Sequence, residues 1–283
     1  MQWLGRRQSS NVDDRRGISG GQVAVGGGIL GVIFLIAQFL LGGGDISDLP
    51  QTLPQGEPQQ ELTAEQKAAD EERAGFVKVV LKDTEDVWDK IFAEQGKQYI
   101  KPTLVLFRGA TESACGYASS ASGPFYCPAD NDVYIDLSFA EDLENRFQAS
   151  GDFAMAYVVA HEVGHHVQYL TGITQKMDRL RQRVSEGEYN KYSVMMELQA
   201  DFYAGVWAHH NQKMKNVLDE DDIPEALAAA NAIGDDRLQR EAQGHVNPDA
   251  FTHGTSAQRM YWFKKGFDTG DISQGDTFAS SDL

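Results

Sequence analysis

Two histidines four residues apart bracket a glutamate in His161-Glu162-Val163-Gly164-His165. The surrounding stretch, Phe153 to Leu170, is mostly apolar and reads as a helix. On a helix, positions i and i+4 share a face, so both imidazoles can reach one metal ion. Glu162 beside them can take a proton from water at that metal. The bland alternative is two surface histidines at chance spacing. The apolar run before His161 speaks against it, because buried histidines and a buried glutamate are costly unless something pairs with them.

A catalytic zinc needs a third protein ligand. Met195 to Trp207 reads as a second, mostly apolar helix, and it carries Glu197 and Asp201, again at i and i+4. One carboxylate can ligate the zinc while the other accepts the free ring N–H of a ligating histidine. Glu197 is assigned as the ligand and Asp201 as the acceptor; the reverse order satisfies the same spacing. Zn2+ held by two histidines and one glutamate, with an open fourth position, is a catalytic arrangement. A structural zinc is usually closed by four protein ligands.

With these residues in view, the chain resembles the zincin peptidases whose third ligand is a glutamate on a second helix. More closely, it resembles the membrane-anchored neutral zinc metallopeptidase family of bacteria. The resemblance lies in the opening Arg6 to Gly17, in HEVGHHVQ, in the run from Ala200 to His210, and in His253 to Arg259. It covers nearly the whole chain. It implies a zinc peptidase, with Glu197 as third ligand and Asp201 behind a histidine, but no particular substrate. Related membrane zincins use a histidine and a downstream arginine to bind the oxyanion of the tetrahedral intermediate. By that resemblance His253 is a candidate catalytic residue and Arg259 a candidate transition-state stabiliser. The alternatives are a helix-entry role for His253, before a helix from Ser256 to Phe267 capped by Thr255 or Ser256, and a surface ion pair for Arg259. Tyr203 and Tyr261 are further donors in principle, although aromatics at helical spacing more often belong to the core. His166, His209, His210 and His245 are read as non-ligands.

The elements that must position these residues follow from the rest of the chain. Thr63-Ala64-Glu65-Gln66 suggests a capping box opening a helix that extends to Phe92, with a break near Gly75. Pro102 to Phe107, Pro124 to Cys127 and Val133 to Leu137 read as strands, and helices dominate from Phe153 to Phe267. A small sheet before a helical metal site predicts an α+β, zincin-like domain over 62–283.

Ahead of it, residues 17–44 hold no charge, and about 20 apolar residues from Gln22 make roughly the 30 Å needed to cross a bilayer. The sequence therefore predicts a cytoplasmic segment over 1–21, an uncleaved transmembrane signal anchor over 22–44 and a Pro-rich linker over 45–61. Arg6, Arg7, Arg15 and Arg16 precede the span while Asp45 and Asp48 follow it. The positive-inside rule then puts the N-terminus in the cytoplasm and the catalytic domain on the extracytoplasmic side, periplasmic in a Gram-negative cell. The lipid bilayer is thus an expected partner, and GxxxG-like glycines within the span would permit a homo-oligomer.

Cys115 and Cys127 are the two cysteines. In that compartment they should form a disulfide, the alternative being two free buried thiols. The formal charge of −17 is no nucleic-acid footprint, and most of these acids should be solvated surface. The function expected is a membrane-anchored zinc endopeptidase acting on peptides or proteins, with Glu162 as base. The rival is a non-catalytic zinc-binding scaffold or interaction domain on the same anchor; the intact Glu162 argues against it.

Overall fold

The computed structural model describes residues 1–17 and 63–279. Thr63 opens α1 (Ala64–Glu94) with the capping box: its hydroxyl accepts the Gln66 N–H, and the Gln66 side chain accepts the Thr63 N–H. The helix runs unbroken past Gly75, where the sequence suggests a break. Gly75 instead packs beside the side chains of Gln8 and Trp3, which a Cβ there would meet at ordinary contact distances of 3.5 and 3.7 Å.

Among the described residues the six short strands are β1 (Val12–Asp14), β2 (Thr103–Phe107), β3 (Ala110–Ser113), β4 (Gly116–Ser119), β5 (Phe125–Cys127) and β6 (Asp132–Asp136). Four of them form a sheet in the order β1-β2-β6-β5. β1 and β6 flank β2 in parallel, and β5 closes the edge antiparallel to β6. Successive side chains in a strand point to opposite faces. Leu104, Leu106, Val133 and Ile135 accordingly enter the main core, while Val105, Phe107 and Tyr134 form a smaller cluster with Ala118 and Cys127. β3 and β4 form a separate hairpin.

Helices α2 (Phe139–Asn145), α3 (Asp152–Leu170), α4 (Ile173–Arg181), α5 (Glu186–Lys215), α6 (Asp222–Ala232), α7 (Asp235–Gln243) and α8 (Ser256–Thr269) follow. α3 is buried along almost its whole length and packs on α5. Two close backbone approaches set this layout. A Cβ on Gly164 of α3 would stand 3.0 Å from the Ala200 carbonyl of α5. Gly205 of α5 and Gly266 of α8 face each other's helix, and a Cβ on either would run into the carbonyl of Phe263 or Phe202. Only glycine allows such contact.

The structure corrects the expected fold class and location. The fold is mostly helical with two small sheets, and among the described residues no helix is long and apolar enough to cross a membrane. The expected span over 22–44 and linker over 45–61 lie outside the described residues. Residues expected on the far side of a membrane are built into the domain: β1 hydrogen-bonds to β2, and Trp3 packs edge-on against Phe76 of α1. Strands cannot pair across a bilayer. The arginines read as positive-inside signals are spent on carboxylates, Arg6 on Asp83 at 2.7 Å and Arg16 on Asp70 at 2.7 Å. The single-pass placement, with domain and N-terminus on opposite sides, is therefore withdrawn, and nothing among the described residues supports the bilayer as a partner.

Candidate active site

α3 and α5 cross where Gly164 meets Ala200, and this crossing brings the acid pair and the two histidines together. Glu197 Oε2 lies 3.2 Å from His161 Nε2, and Glu197 Oε1 lies 3.4 Å from His165 Nε2. The ligand atoms of these three residues are mutually within 4.8 Å. Bonds of 2.0–2.2 Å in tetrahedral array put neighbouring ligand atoms about 3.3–3.6 Å apart, so the contacts of 3.2 and 3.4 Å suit zinc.

The chemistry of the donor set makes the same demand. His161 Nδ1 is 2.8 Å from Asp201 Oδ1, and His165 Nδ1 is 2.8 Å from Gln168 Oε1. Each acceptor calls for an N–H at Nδ1, so Nε2 is the ring atom left to face the Glu197 carboxylate, either protonated or bound to a metal. The centre therefore calls for positive charge, a metal ion or, in its absence, protons on the imidazoles. The electrostatics reflect that demand. Burial works against a charged His161, yet Asp201 and then Glu197 hold it up to about 10. Burial likewise opposes the Glu197 carboxylate, yet His165 and His161 hold it well below the ordinary carboxylate range.

Asp201 is wholly buried and saturated. It accepts from Tyr157 Oη at 2.5 Å and from Arg259 through Nε at 2.9 Å and Nη2 at 3.0 Å. Against its burial, Arg259 and His161 bring Asp201 down to about 2. The two acids thus occupy different places: Glu197 faces both Nε2 atoms, and Asp201 sits behind His161. Arg259 is buried and turned to Asp201, Tyr157 and the Ile233 carbonyl, and its Nη2 also lies 3.4 Å from His161 Nδ1.

These residues lie in a cleft of about 670 Å³. Glu162 lines it beside the histidines, as does His253. Thr255 caps α8 with a capping box to Gln258, which leaves His253 just outside the helix. Its backbone N–H and Nδ1 both meet Asp235, at 2.6 and 3.2 Å. Partial burial opposes protonation of His253, but Asp235 and then Glu197 raise its pKa. Phe139 and Phe147 from the α2 region supply an apolar wall, and Pro124, Phe125 and Tyr126 another. The latter segment is closed by the Cys115–Cys127 disulfide, with Cα atoms 5.8 Å apart. Closing a loop of this length stabilises the fold by about 3 kcal/mol in the chain-entropy account.

The remaining histidines are engaged elsewhere. His166 is buried between the Ile100 carbonyl, 2.6 Å from Nε2, and Tyr126 Oη, 3.0 Å from Nδ1; burial lowers it to about 4. His209 and His210 bond to carbonyls at the end of α8, and His245 is exposed. Tyr203 packs on Trp88, and Tyr261 is largely exposed. A second acid group, Asp152, Asp222 and Glu225, has metal-like spacing. Asp152 and Asp222 instead take the Met1 ammonium, and Glu225 takes the Phe153 N–H.

Sequence reasoning missed Tyr157, Gln168, Gln199 and Asp235. Tyr157 is i−4 from His161 and Gln168 is i+3 from His165, so helical periodicity could have raised both. Asp235 stands 18 residues before His253 with no local signal.

Residues 1–278 match the family described as "Putative neutral zinc metallopeptidase". The Escherichia coli K12 protein YpfJ is 50% identical over 289 residues, covering 99% of this chain and 100% of its own. The Mycobacterium tuberculosis H37Rv protein Rv2575 is 45% identical over 195 residues, 65% of each chain. No solved structure matches.

Proposed function

The chain belongs to this neutral zinc metallopeptidase family, with Zn2+ as its cofactor, and from that premise we propose that it is an endopeptidase whose reaction is run by His161, His165, Glu197, Glu162 and His253. The observation that carries the reading is the convergence of both Nε2 atoms on Glu197 at 3.2 and 3.4 Å, inside a cleft also lined by Glu162. His161, His165 and Glu197 would hold the zinc. When bound, zinc polarises the peptide carbonyl and makes water a nucleophile near neutral pH.

The chain's own groups do the rest. Glu162 takes the proton of the attacking water and returns it to the leaving amine. His253, oriented by its Nδ1 contact with Asp235, donates a hydrogen bond to the oxygen that gains charge as the carbonyl is attacked. Asp201 holds His161 with Nδ1 protonated and Nε2 free to bind metal. Arg259 is a positioning residue in this scheme: it holds Asp201 ionised. The apolar walls exclude water and bind side chains of an extended peptide.

The test is metal analysis of the purified protein, then hydrolysis of denatured protein substrates by wild type and Glu162→Gln. Stoichiometric zinc in both, with hydrolysis in the wild type alone, is the expected result. A zinc-loaded Glu162→Gln that still cleaves would remove Glu162 from the reaction.

A further inference from the structure

The two candidate zinc histidines are held by unlike partners. Behind His161 stands a carboxylate, Asp201; behind His165 stands a neutral amide, Gln168. We propose that Gln168 is the positioning residue of His165, and that its orientation, and with it the tautomer of His165, is dictated by the backbone carbonyls of Gly275 and Met196. This rests on His165 being a zinc ligand.

The direction of the relay follows from what each group can do. A carbonyl oxygen only accepts. The Gly275 carbonyl lies 2.8 Å from the Gln199 amide, so Gln199 turns its NH2 there and its Oε1 the other way. That Oε1 lies 3.1 Å from the Gln168 amide. The Met196 carbonyl lies 2.7 Å from the same Gln168 atom. Two acceptors meet at this point, so the atom between them is the nitrogen, and its two hydrogens are both used. Gln168 Oε1 is left facing His165 Nδ1 at 2.8 Å. An acceptor there requires a proton on Nδ1, so in the neutral, metal-binding ring Nε2 is the lone pair aimed at the centre. Reversing either amide would set oxygen against oxygen. Gln168 is 0% exposed and Gln199 3%, so water cannot relieve the mismatch. Each flip is thus fixed by chemistry rather than by choice.

Gln168 also joins two parts of the site. Met196 precedes Glu197, so one side chain grips His165 on α3 and the backbone of α5 beside the third ligand. Gly275 belongs to the segment after α8, where Thr277 Oγ1 also donates to the Met195 carbonyl at 2.5 Å. The far C-terminal segment is therefore tied to the orientation of a ligand histidine. A glutamate at 168 would keep an acceptor for Nδ1 but turn its second oxygen onto Met196 O and Gln199 Oε1.

The test uses the full chain and zinc itself. Zinc affinity is measured by competition with a chromophoric chelator for wild type, Gln168→Ala, Gln168→Glu, Gln199→Glu and His165→Ala, with melting temperatures of the zinc-free proteins. Gln168→Ala should weaken zinc binding 10–100-fold, the usual effect of losing a partner behind a ligand histidine. Gln168→Glu should weaken it at least as much, although it keeps the acceptor. Gln199→Glu should weaken it too, without touching His165. In zinc-loaded wild type the His165 Nδ1 proton should exchange slowly by nitrogen-15 histidine NMR, and in Gln168→Ala rapidly. A purely structural role predicts lower melting temperatures with wild-type zinc affinity and proton exchange, and that result overturns the proposal. If Gln168→Glu does not fold, Gln168→Ala and Gln199→Glu decide. Zinc retained by His165→Ala would overturn the ligand reading itself; zinc lost there but held normally by Gln168→Ala would overturn this inference alone.

Discussion

The guanidinium of Arg259 meets the carboxylate of Asp201 edge to edge, Nε to Oδ2 at 2.9 Å and Nη2 to Oδ1 at 3.0 Å, with both side chains buried behind His161. The fork geometry fixes the carboxylate plane, and Asp201 Oδ1 then fixes the ring of His161. Breaking a buried pair strands a charge. Arg259→Met should cost about 3–5 kcal/mol in denaturant unfolding of the zinc-free protein and should also weaken zinc binding. If Arg259 instead acted directly on substrate, the variant would keep its stability and zinc affinity and lose only turnover.

A second expectation concerns Gly164, the residue just before His165 that lets α3 lie on α5. An alanine Cβ there would stand 3.0 Å from the Ala200 carbonyl and 3.1 Å from the Ala200 Cα, both backbone atoms. The helices must part by a few tenths of an ångström. Gly164→Ala should therefore destabilise the fold by about 1–3 kcal/mol, the usual cost of overpacking. It should also lower zinc affinity, because the histidines and Glu197 sit on opposite sides of this contact. Wild-type affinity in a destabilised Gly164→Ala protein would show that the crossing does not set the ligand spacing.

The pH dependence has a definite sign. His161 rises from an ordinary 6.5 to about 10 in the zinc-free fold, Asp201 and Glu197 outweighing burial. A raised folded pKa contributes stability that is fully present below about 6.5 and is lost as pH rises through about 10. Asp201 runs the other way: lowered to about 2 from 3.8, it contributes stability above about 3.8 that is lost as pH falls through about 2. Urea unfolding of zinc-free protein should thus weaken progressively from pH 6.5 to 10. Over the same range zinc must displace protons, so apparent zinc affinity should climb by about tenfold per pH unit for each proton released. A pH-independent affinity between 6.5 and 9 would contradict these contacts.

His253 tests the catalytic reading from the other wall of the cleft. Its removal should lower turnover by about 10²–10³ with zinc content and substrate binding nearly unchanged, as for a donor that acts mainly in the transition state. Turnover, zinc content and melting temperature are measured on one His253→Ala preparation. A wild-type rate with a slightly lower melting point would reduce His253 to a helix-entry residue.

The parts of this protein legible in its sequence are those encoded by local periodicity. The i, i+4 spacings of His161 with His165 and of Glu197 with Asp201 follow from helical pitch, and the apolar runs around them announce burial. The Thr63 and Thr255 caps, three of the six strands and the Cys115–Cys127 pair were likewise open to local reading. What a face packs against is another matter. β1 is three residues, Val12-Asp13-Asp14, with no apolar alternation, and its partner β2 begins at Thr103. Nothing near Arg6 or Arg16 says that its charge belongs to Asp83 or Asp70 of α1. Read locally, those arginines looked like a topology signal; paired in space, they bind the N-terminal segment to the domain. Glu197 and Asp201, equivalent by spacing, differ in the partners they meet: Arg259, 58 residues away, reaches Asp201, while Glu197 faces the two histidines. Periodicity tells which side of an element leaves water. Only the packed chain decides which hydrogen-bond donor or acceptor waits there, because that partner is chosen by chain crossing and not by neighbouring sequence.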